Sequence, residues 1–417
     1  MNLKGKLLLI DPGSRFIRMG VLDFHSDGAP DLVFVKAYES KGINNGSISS
    51  RGEFAAALRN AYENCRHDSG IGSFKEIWVG HSGQSTRSDN ITEEAKLRHN
   101  VPITLRLEKQ MMKNAESRIP GDSQLLHSFR QFLFLDGVKI ESDSRLLGMN
   151  LLARYHVIFS KKDVINNFRA AFRDAGLKLS RFLFNGYTAS LAVGHAEEFN
   201  LGCMVIHLGH STVDYIVYQE GQPYITGSLN DGWRRVIREV AMGESLSDEN
   251  AEKAIRDYGV AHDIDPSQDT TLDVINLFGE TSQVTRRHLA IIMSATIEEI
   301  FTIIRDRLKD TICRGHLPGG ILLTGGGALT RGIAYSAVSV FGVHTRVEYP
   351  SLPWIKQEYE PEWAPLLGMA KEASENIFYV PIPEKTSERI GFFGSRLFKR
   401  MFPKSAQDID PEGEPEK

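Results

Sequence analysis

The sequence has few cysteines and no Cys-x-x-Cys pair. Its 417 residues include three cysteines, Cys65, Cys203 and Cys313, which are odd in number and widely spaced. This pattern argues against a disulfide framework and against a thiolate zinc site, and it fits a reducing compartment. The cytoplasm is therefore the expected location.

Long apolar runs and an excess of one charge are also missing. No stretch reaches the roughly 18 apolar residues that a membrane-spanning helix needs, and the apolar run 7–10 is too short for a signal-peptide core. The 49 Lys and Arg residues nearly balance the 53 Asp and Glu residues, which leaves a formal charge of −4. We therefore expect no nucleic-acid partner, because no overall field attracts the molecule to a polyanion.

Apolar segments that alternate with helical patterns make up most of the chain. Apolar runs at 7–10 and 17–22 flank a polar turn and predict a β-hairpin, and a second hairpin of the same kind is expected over 204–218. The two hairpins suggest an internal duplication, although chance resemblance is the alternative. Helical spacing is expected over 53–65, 162–176, 249–258, 289–310 and 334–341. Strands that alternate with helices predict an α/β protein.

The turns of these hairpins carry residue types that bind phosphate. Glycine lets the backbone approach closely, and successive N–H groups form an anion-binding concavity. Asp11 ends the first apolar run, where a carboxylate would hold magnesium through water; the alternative is a plain turn residue. The glycines at 325–327 either let an adenosine lie against the backbone or form a strand-to-helix turn.

Two regions depart from this pattern. Residues 84–160 are polar and loop-rich, which predicts an inserted subdomain. After a proline-containing linker at 376–388, residues 389–403 form an amphipathic pattern, and the acidic tail at 404–417 is expected to be disordered. Stepped at 100° per residue, one half of the helix is apolar and the other basic. The predicted membrane-binding residues are Arg389, Ile390, Phe393, Arg396, Leu397, Phe398, Lys399, Arg400, Met401 and Phe402.

This amphipathic pattern is typical of a helix that lies in the membrane interface. Each Lys or Arg near an anionic surface contributes roughly 1 kcal/mol. The alternatives are a helix docked on the protein's own core and a coil. The separating linker favours the membrane, because a helix meant for the core rarely needs a tether.

The order of these motifs resembles the actin-like ATPase superfamily and, within it, the bacterial cell-division FtsA family. The resemblance covers about residues 5–375. It is carried by the hairpins, by Leu322-Leu323-Thr324-Gly325-Gly326-Gly327-Ala328-Leu329, and by segments that lead into and through the insert, namely 41–48, 78–83, 126–137 and 147–158. It implies two lobes of duplicated ribonuclease-H-like domains with a nucleotide cleft between them, and an inserted α+β subdomain for self-association.

The implied boundaries and site follow from this resemblance. The first lobe would be 1–83 with 161–200, and the second 201–375, of which 233–312 is the outer subdomain. ATP, with or without magnesium, would bind at Asp11, Gly13, Ser14, Gly209, Ser211, Thr212, Gly232, Gly325, Gly326 and Gly327, with Asp11 holding the metal through water. The expected partners are FtsZ, further copies of the chain, other division proteins and the anionic inner membrane at the division septum.

The cleft departs from the family pattern at several positions. Pro12, Arg15 and Phe16 stand where the family favours Ile, a small hydroxyl residue and Lys, and His207 stands where it has a carboxylate. Trp233 replaces a glycine in a further phosphate turn. These departures predict weak nucleotide binding or binding without turnover, so that the chain is at most a weak ATPase.

Further alternatives stay open on sequence alone. His207 and His210 either fill a collapsed cleft or contact phosphate oxygens. The chain is either a division protein or a scaffold of the PilM kind for pili or secretion, and a small-molecule kinase of the same superfamily is a further alternative. Ser294-Ala295-Thr296 replaces a Glu-Pro-Arg common in the family's long helix, so the FtsZ contact rests on overall resemblance.

Overall fold

The structure is a computed structural model that describes residues 5–24, 30–97, 102–141, 146–309 and 317–376. Beyond its first residue the predicted linker lies outside these ranges, as do the predicted membrane helix at 389–403 and the acidic tail at 404–417. Cys313 also lies outside them. The other two cysteines are free and buried, and burial raises the pKa of each thiol to about 12.

A five-stranded mixed sheet is built around the first predicted hairpin, which is confirmed. Strands β1 and β2 pair in antiparallel fashion, and β6 pairs with β1 in parallel. The strand order is β11-β6-β1-β2-β3. The bounds are β1 Gly5–Pro12, β2 Phe16–Phe24, β3 Pro30–Glu39, β6 Glu76–His81 and β11 Arg181–Phe184.

A second five-stranded sheet repeats this topology later in the chain. Its order is β14-β13-β12-β17-β18, so that an antiparallel three-strand meander is again joined to two parallel strands. The duplication suggested by the two hairpins is therefore confirmed. The bounds are β12 Cys203–Leu208, β13 Val213–Gln219, β14 Gln222–Leu229, β17 Ile321–Thr324 and β18 Thr345–Val347.

A third, antiparallel sheet occupies residues 86–161, so the expectation that this region is loop-rich is wrong, because most of it is strand or helix. Its order is β7-β10-β8-β9, and helix α2 (Leu105–Glu116) packs against it around a separate apolar core. The bounds are β7 Thr86–Lys96, β8 Ser123–Leu135, β9 Val138–Ile140 and β10 Asn150–Lys161. Two-stranded sheets pair β4 (Ile43–Asn44) with β5 (Ser47–Ile48) and β15 (Thr271–Ile275) with β16 (Thr281–Thr285).

Helices cover the two large sheets. Each of the five helices predicted between residues 53 and 341 is present, with bounds shifted by a few residues. The remaining helices are α1 Arg51–Ser69, α3 Lys162–Asp174, α4 Asn185–Val193, α5 Ala196–Leu201, α6 Trp233–Gly243, α7 Asp248–Tyr258, α8 Arg286–Leu308, α9 Ile333–Phe341 and α10 Ala364–Asn376. Sheets covered on both faces explain why 7–10 and 203–208 are continuous buried runs instead of alternating ones.

The chain crosses between the two large sheets at α4 and again before α10, and these two helices pack closely. A glycine, Gly368 of α10, lies where the two helices meet. A Cβ built on this residue would lie 1.5 Å from the carbonyl oxygen of Thr188 in α4. The two backbones can approach this closely only because position 368 has no side chain. Helix α10 also contacts β1, β2 and β6, so it ties the crossing to the first sheet.

Candidate functional site

A cavity of about 500 Å³ opens between the first and second sheets. The turn after β1 and the turn after β12 both face it, because each hairpin ends at the same edge of its sheet. The segment after β17 closes a further side. Eight of the predicted nucleotide-binding residues line this cavity, namely Asp11, Gly13, Ser14, Gly209, Ser211, Thr212, Gly326 and Gly327.

The other two predicted residues, Gly232 and Gly325, lie behind the wall. A Cβ on Gly232 would meet the backbone at Ser211 and Thr212 at 2.5 Å. Gly325 has a φ of +90°, and a Cβ there would meet the backbone nitrogen and oxygen of Leu208 within 2.8 Å. Both glycines permit close packing of the chain behind the turns, and their contact with a nucleotide stays a prediction.

Asp11 is buried and engaged from two sides. Its Oδ1 accepts a hydrogen bond of 2.9 Å from Asn185 Nδ2, at the start of α4. Its Oδ2 lies 3.9 Å from Nη1 of Arg18, the residue directly opposite it in the β1–β2 ladder. The sequence analysis identified neither partner. Asn185 is 174 positions away in the chain, whereas the pairing of the predicted hairpin would have placed Arg18 opposite Asp11.

The described residues fit magnesium poorly at Asp11. Magnesium is held by one or two carboxylates that keep its waters in place, and here the one carboxylate at the strand end already faces a guanidinium. The second hairpin offers an imidazole, His207, where a second carboxylate would help. Within the described ranges no group of three or more His, Cys, Asp or Glu side chains is placed to hold a metal. Magnesium at Asp11 stays a prediction.

The described residues fit a polyphosphate better. The hydroxyl of Ser14, which can donate to a phosphate oxygen, is buried beside the cavity without a hydrogen-bond partner among the described residues. His207 Nδ1 also lacks one. Buried polar groups without partners are costly in a native fold and commonly mark a place where a ligand or water binds. The two turns are therefore suited to bind an anionic ligand between them.

The two histidines of the second turn line an open cavity, so the alternative in which they fill a collapsed cleft is wrong. His207 and His210 both face the space. His210 is mostly buried, and desolvation, with Arg15 and Arg234 nearby, lowers its pKa to about 4. His210 is thus neutral at neutral pH, where it can accept or donate one hydrogen bond.

Every carboxylate that lines the cavity in the described part of the chain is paired with an arginine. Besides the pair at Asp11, Glu362 Oε1 lies 3.4 Å from Arg18 Nη2. Glu252 of α7 forms an ion pair with Arg15 of the first turn, which joins the two sides of the cavity. Each acidic group of the cavity therefore faces a guanidinium, and Arg18 faces two of them.

Asp214 connects the two large sheets beneath the cavity. This residue of β13 is fully buried, and its two oxygens accept hydrogen bonds of 2.6 Å from Ser82 Oγ and Ser228 Oγ. Ser82 follows β6 of the first sheet, whereas Ser228 belongs to β14 of the second. Hydrogen bonds to a carboxylate are stronger than neutral ones, so this group holds the two sheets together.

A polar joint connects the third sheet to the second. Ser88 Oγ, Asn90 Nδ2 and Gln131 Nε2 donate to main-chain carbonyl oxygens of β14 at 3.0, 3.0 and 2.9 Å. His156 of β10 adds contacts of 2.8 Å to Asn90 Oδ1 and 3.2 Å to Thr226 Oγ1. The third sheet therefore contacts the second sheet through hydrogen bonds, although the chain enters it from the first.

Burial lowers the pKa of three further histidines. Desolvation is the main cause at each, and it lowers the pKa of His81 to about 4 and that of His156 to about 3. The pKa of His127 lies well below its ordinary value for the same reason, with Arg181 adding to the effect. Below about pH 6.5, and down to the lowered pKa of each group, these histidines are charged in the unfolded chain and neutral in the folded protein.

Stability is therefore expected to fall as the pH drops below about 6.5. The unfolded chain then binds protons that the folded protein does not, and each such histidine costs about 1.4 kcal/mol between about pH 7.5 and about pH 5.5. Urea unfolding at the two pH values measures the loss. His156→Gln can keep its hydrogen bonds without titrating, so its loss should be smaller than that of the unmodified protein by about 1.4 kcal/mol. An equal loss would contradict this assignment.

In the part of the chain that the structure describes, no helix is both long and apolar enough to cross a membrane.

Comparison with known proteins places the chain near one family. The family model FtsA, described as "Cell division protein FtsA", matches residues 204–368. Cell division protein FtsA of Borreliella burgdorferi is 26% identical over 373 residues, which covers 86% of this chain and 89% of that protein. The FtsA of Bacillus subtilis is 24% identical over 355 residues (84% and 80%) and that of Escherichia coli K12 is 23% identical over 369 residues (84% and 86%).

Solved structures support the fold. A chain of the PilM-PilN type IV pilus biogenesis complex superposes with a TM-score of 0.61 at 16% identity, covering 88% of this chain and 98% of that one. MreB5 of Spiroplasma citri bound to ADP superposes with a TM-score of 0.54 at 11% identity, covering 90% and 99%. The predicted α/β, actin-like, two-lobed fold is confirmed.

Proposed function

We propose that this chain, which is similar to FtsA cell division proteins over most of its length, is an actin-like scaffold of bacterial cell division. It would assemble on the cytoplasmic face of the inner membrane at the septum, tether FtsZ filaments there and recruit later division proteins. The observation that carries the proposal is that two hairpin turns of duplicated topology face one cavity, in a chain whose likeness to FtsA covers most of its length.

In this proposal the cavity binds a nucleotide. The neighbouring MreB5 structures are bound to ADP and to AMPPNP. Here Gly13, Ser14 and the segment 209–212 would hold the phosphates, and the turn at 326–327 would lie against the adenosine. A bound nucleotide would supply a polyanion that joins the two sheets. With His207 in place of a carboxylate, we propose binding with little or no hydrolysis.

The domain assignment follows the sheets. We propose a first lobe at 1–83 and 161–200, a self-association subdomain at 84–160 and a second lobe at 201–375. Support for self-association comes from one end of the third sheet, where Val138, Leu147 and Met149 are exposed by 66, 59 and 50%. Apolar side chains exposed together commonly mark an interaction surface.

The FtsZ contact is proposed on the outer subdomain at 233–312. There Leu277 and Phe278, at the tip of the β15–β16 hairpin, are exposed by 62 and 83%, and Met242 at the end of α6 by 69%. A short peptide with apolar side chains would bury them. Membrane attachment is proposed through 389–403, as its amphipathic sequence indicates.

The kinase alternative needs a carboxylate that acts as a general base in the cleft. Among the described residues that line the cavity, Asp11, Glu252 and Glu362 each face an arginine. None of the three is therefore placed as an uncompensated base, so the scaffold is the better-supported function.

Flotation with lipid vesicles tests the proposal. The full chain and a truncation after Thr386 would be mixed with FtsZ of the same organism and with vesicles rich in anionic phospholipid. We expect the full chain to float with the vesicles and to carry FtsZ with it. With the truncation, the truncated chain and FtsZ should both stay in the bottom fraction of the gradient. A matched variant, Arg396→Gln with Arg400→Gln, should float less on anionic vesicles, because it keeps the apolar face and removes two charges.

Two results would contradict the proposal. Equal flotation of the full chain and the truncation is the behaviour of a PilM-like scaffold without the membrane helix. Flotation of the full chain without FtsZ would remove the tethering role and leave membrane attachment standing.

A further inference from the structure

We propose that Arg18 takes the place of magnesium in the cleft, so that the chain binds a nucleoside polyphosphate without a divalent cation. The inference rests on the proposed function, because it concerns how the same cavity binds its nucleotide. It depends on where the fold places one guanidinium and on what surrounds it.

The hairpin register fixes the position of Arg18. Asp11 and Arg18 are directly opposite in the antiparallel β1–β2 ladder, and opposed residues of such a ladder project to the same face of the sheet. Both side chains line the cavity. The guanidinium of Arg18 is held between two carboxylates, with Nη1 3.9 Å from Asp11 Oδ2 and Nη2 3.4 Å from Glu362 Oε1.

Aromatic rings hold the same side chain from its flanks. The guanidinium carbon of Arg18 lies 5.5 Å from the centre of the Trp363 ring and 5.9 Å from that of Phe16. The side chain is 14% exposed. Arginine that stacks on rings and pairs with carboxylates loses little further freedom when it binds a phosphate. Arg18 is therefore a preorganised cation at the strand end.

Its distance from Asp11 is the distance at which the metal would lie. A carboxylate that holds magnesium through one of its waters is on the order of 4 Å from the ion, given a metal–oxygen distance of about 2.1 Å and an angled hydrogen bond of about 2.7 Å. Arg18 Nη1 is 3.9 Å from Asp11 Oδ2. A magnesium ion at that distance from Asp11 would be repelled by the guanidinium of Arg18.

The remaining ligands of a metal site are also altered. The other oxygen of Asp11 accepts a hydrogen bond from Asn185. On the second hairpin His207 occupies the end of β12, and its Nδ1 lies 3.8 Å from the buried Asp214. The cleft thus has one carboxylate where the ion would sit and a permanent cation beside it.

Arg18 still has donors for a ligand. Its Nε is buried without a partner among the described residues, and so is the hydroxyl of Ser14 in the adjoining turn. A planar guanidinium matches two phosphate oxygens at once, which makes arginine suited to bind phosphate. We infer that Arg18 and Ser14 contact the same phosphate group.

A nucleotide titration with and without magnesium tests the inference. The probe is a fluorescent ATP analogue added to the full chain, either in excess EDTA or in excess magnesium chloride. We expect the two dissociation constants to agree within about threefold. In EDTA, Arg18→Gln should weaken binding at least about tenfold, the loss expected for a hydrogen bond to a charged group.

Two further variants keep the test sharp. Arg18→Lys retains the charge without the fork, so its affinity in EDTA should lie between those of the unmodified protein and Arg18→Gln. Arg173→Gln removes an exposed arginine of α3 and should leave the affinity unchanged. Circular dichroism of each variant establishes that it is folded before it is titrated.

The outcomes separate this inference from the proposed function. Binding that requires magnesium would overturn the role of Arg18 and leave nucleotide binding intact. Equal affinities of Arg18→Gln and the unmodified protein in EDTA would also overturn it. If no nucleotide binds under either condition, nucleotide binding itself is wrong and this inference with it, while FtsZ tethering is decided by flotation.

Discussion

Replacing Gly368 by alanine is expected to lower the free energy of unfolding by about 3 kcal/mol, the upper part of the usual range for overpacking. A Cβ at this position would lie 1.5 Å from Thr188 O, and a backbone carbonyl cannot rotate away as a side chain can. The helices α4 and α10 would have to separate. This is a large fraction of the 5–15 kcal/mol by which domains are typically stable.

Urea unfolding measures this loss, and Gly52→Ala is the matched control. Position 52 lies in α1 with open space around it, so the same substitution there should stabilise the protein by up to about 1 kcal/mol through helix propensity. If Gly368→Ala proved as stable as the unmodified protein, the close approach of α4 and α10 would be wrong.

Replacing Asp214 by asparagine should cost about 2–3 kcal/mol, because a hydrogen bond to a charged group contributes about that much. The carboxylate accepts from Ser82 and Ser228 at 2.6 Å while fully buried. An asparagine amide has one accepting oxygen, so one serine hydroxyl would lose its acceptor. The contact between the first and second sheets would weaken, because Ser82 follows a strand of the first sheet and Asp214 belongs to the second.

A double-mutant cycle tests whether this loss comes from the hydrogen bond between Ser82 and Asp214. Asp214→Asn, Ser82→Ala and the double variant would be unfolded in urea, and the coupling energy should lie between about 0.5 and 3 kcal/mol. Ser228→Ala provides the comparison within the second sheet. Additive effects of Asp214→Asn and Ser82→Ala would contradict the proposed link between the sheets.

Local sequence patterns were sufficient to predict the hairpins and the helices. The apolar runs 7–10 and 17–22 flank a short polar turn, which is typical of a β-hairpin. The structure pairs these runs as β1 and β2. The duplication followed from the second hairpin, and the matching strand orders confirm it. Such features depend on residues that are neighbours in the chain.

The composition of the cavity wall depends on residues that are far apart. Asn185 reaches Asp11 across 174 positions, and Glu252 reaches Arg15 across 237, so no local period reveals these pairs. Gly232 and Gly325 carry the expected residue type yet lie behind the turns, because close packing and ligand contact both favour glycine. Arg18 is the cavity residue that the local pattern could have identified, because it lies directly opposite Asp11 in the predicted hairpin.

The joint between the third sheet and β14 has a consequence for how the chain can diverge. Ser88, Asn90 and Gln131 bond to carbonyl oxygens of the main chain, which every amino acid supplies. Substitutions along β14 therefore leave these acceptors in place, whereas loss of a donor on the insert removes a bond outright. We therefore expect substitutions to be tolerated at the β14 positions that contribute only a carbonyl oxygen and restricted at Ser88, Asn90 and Gln131. The second sheet can then change side chains along β14 while these three bonds to the third sheet remain.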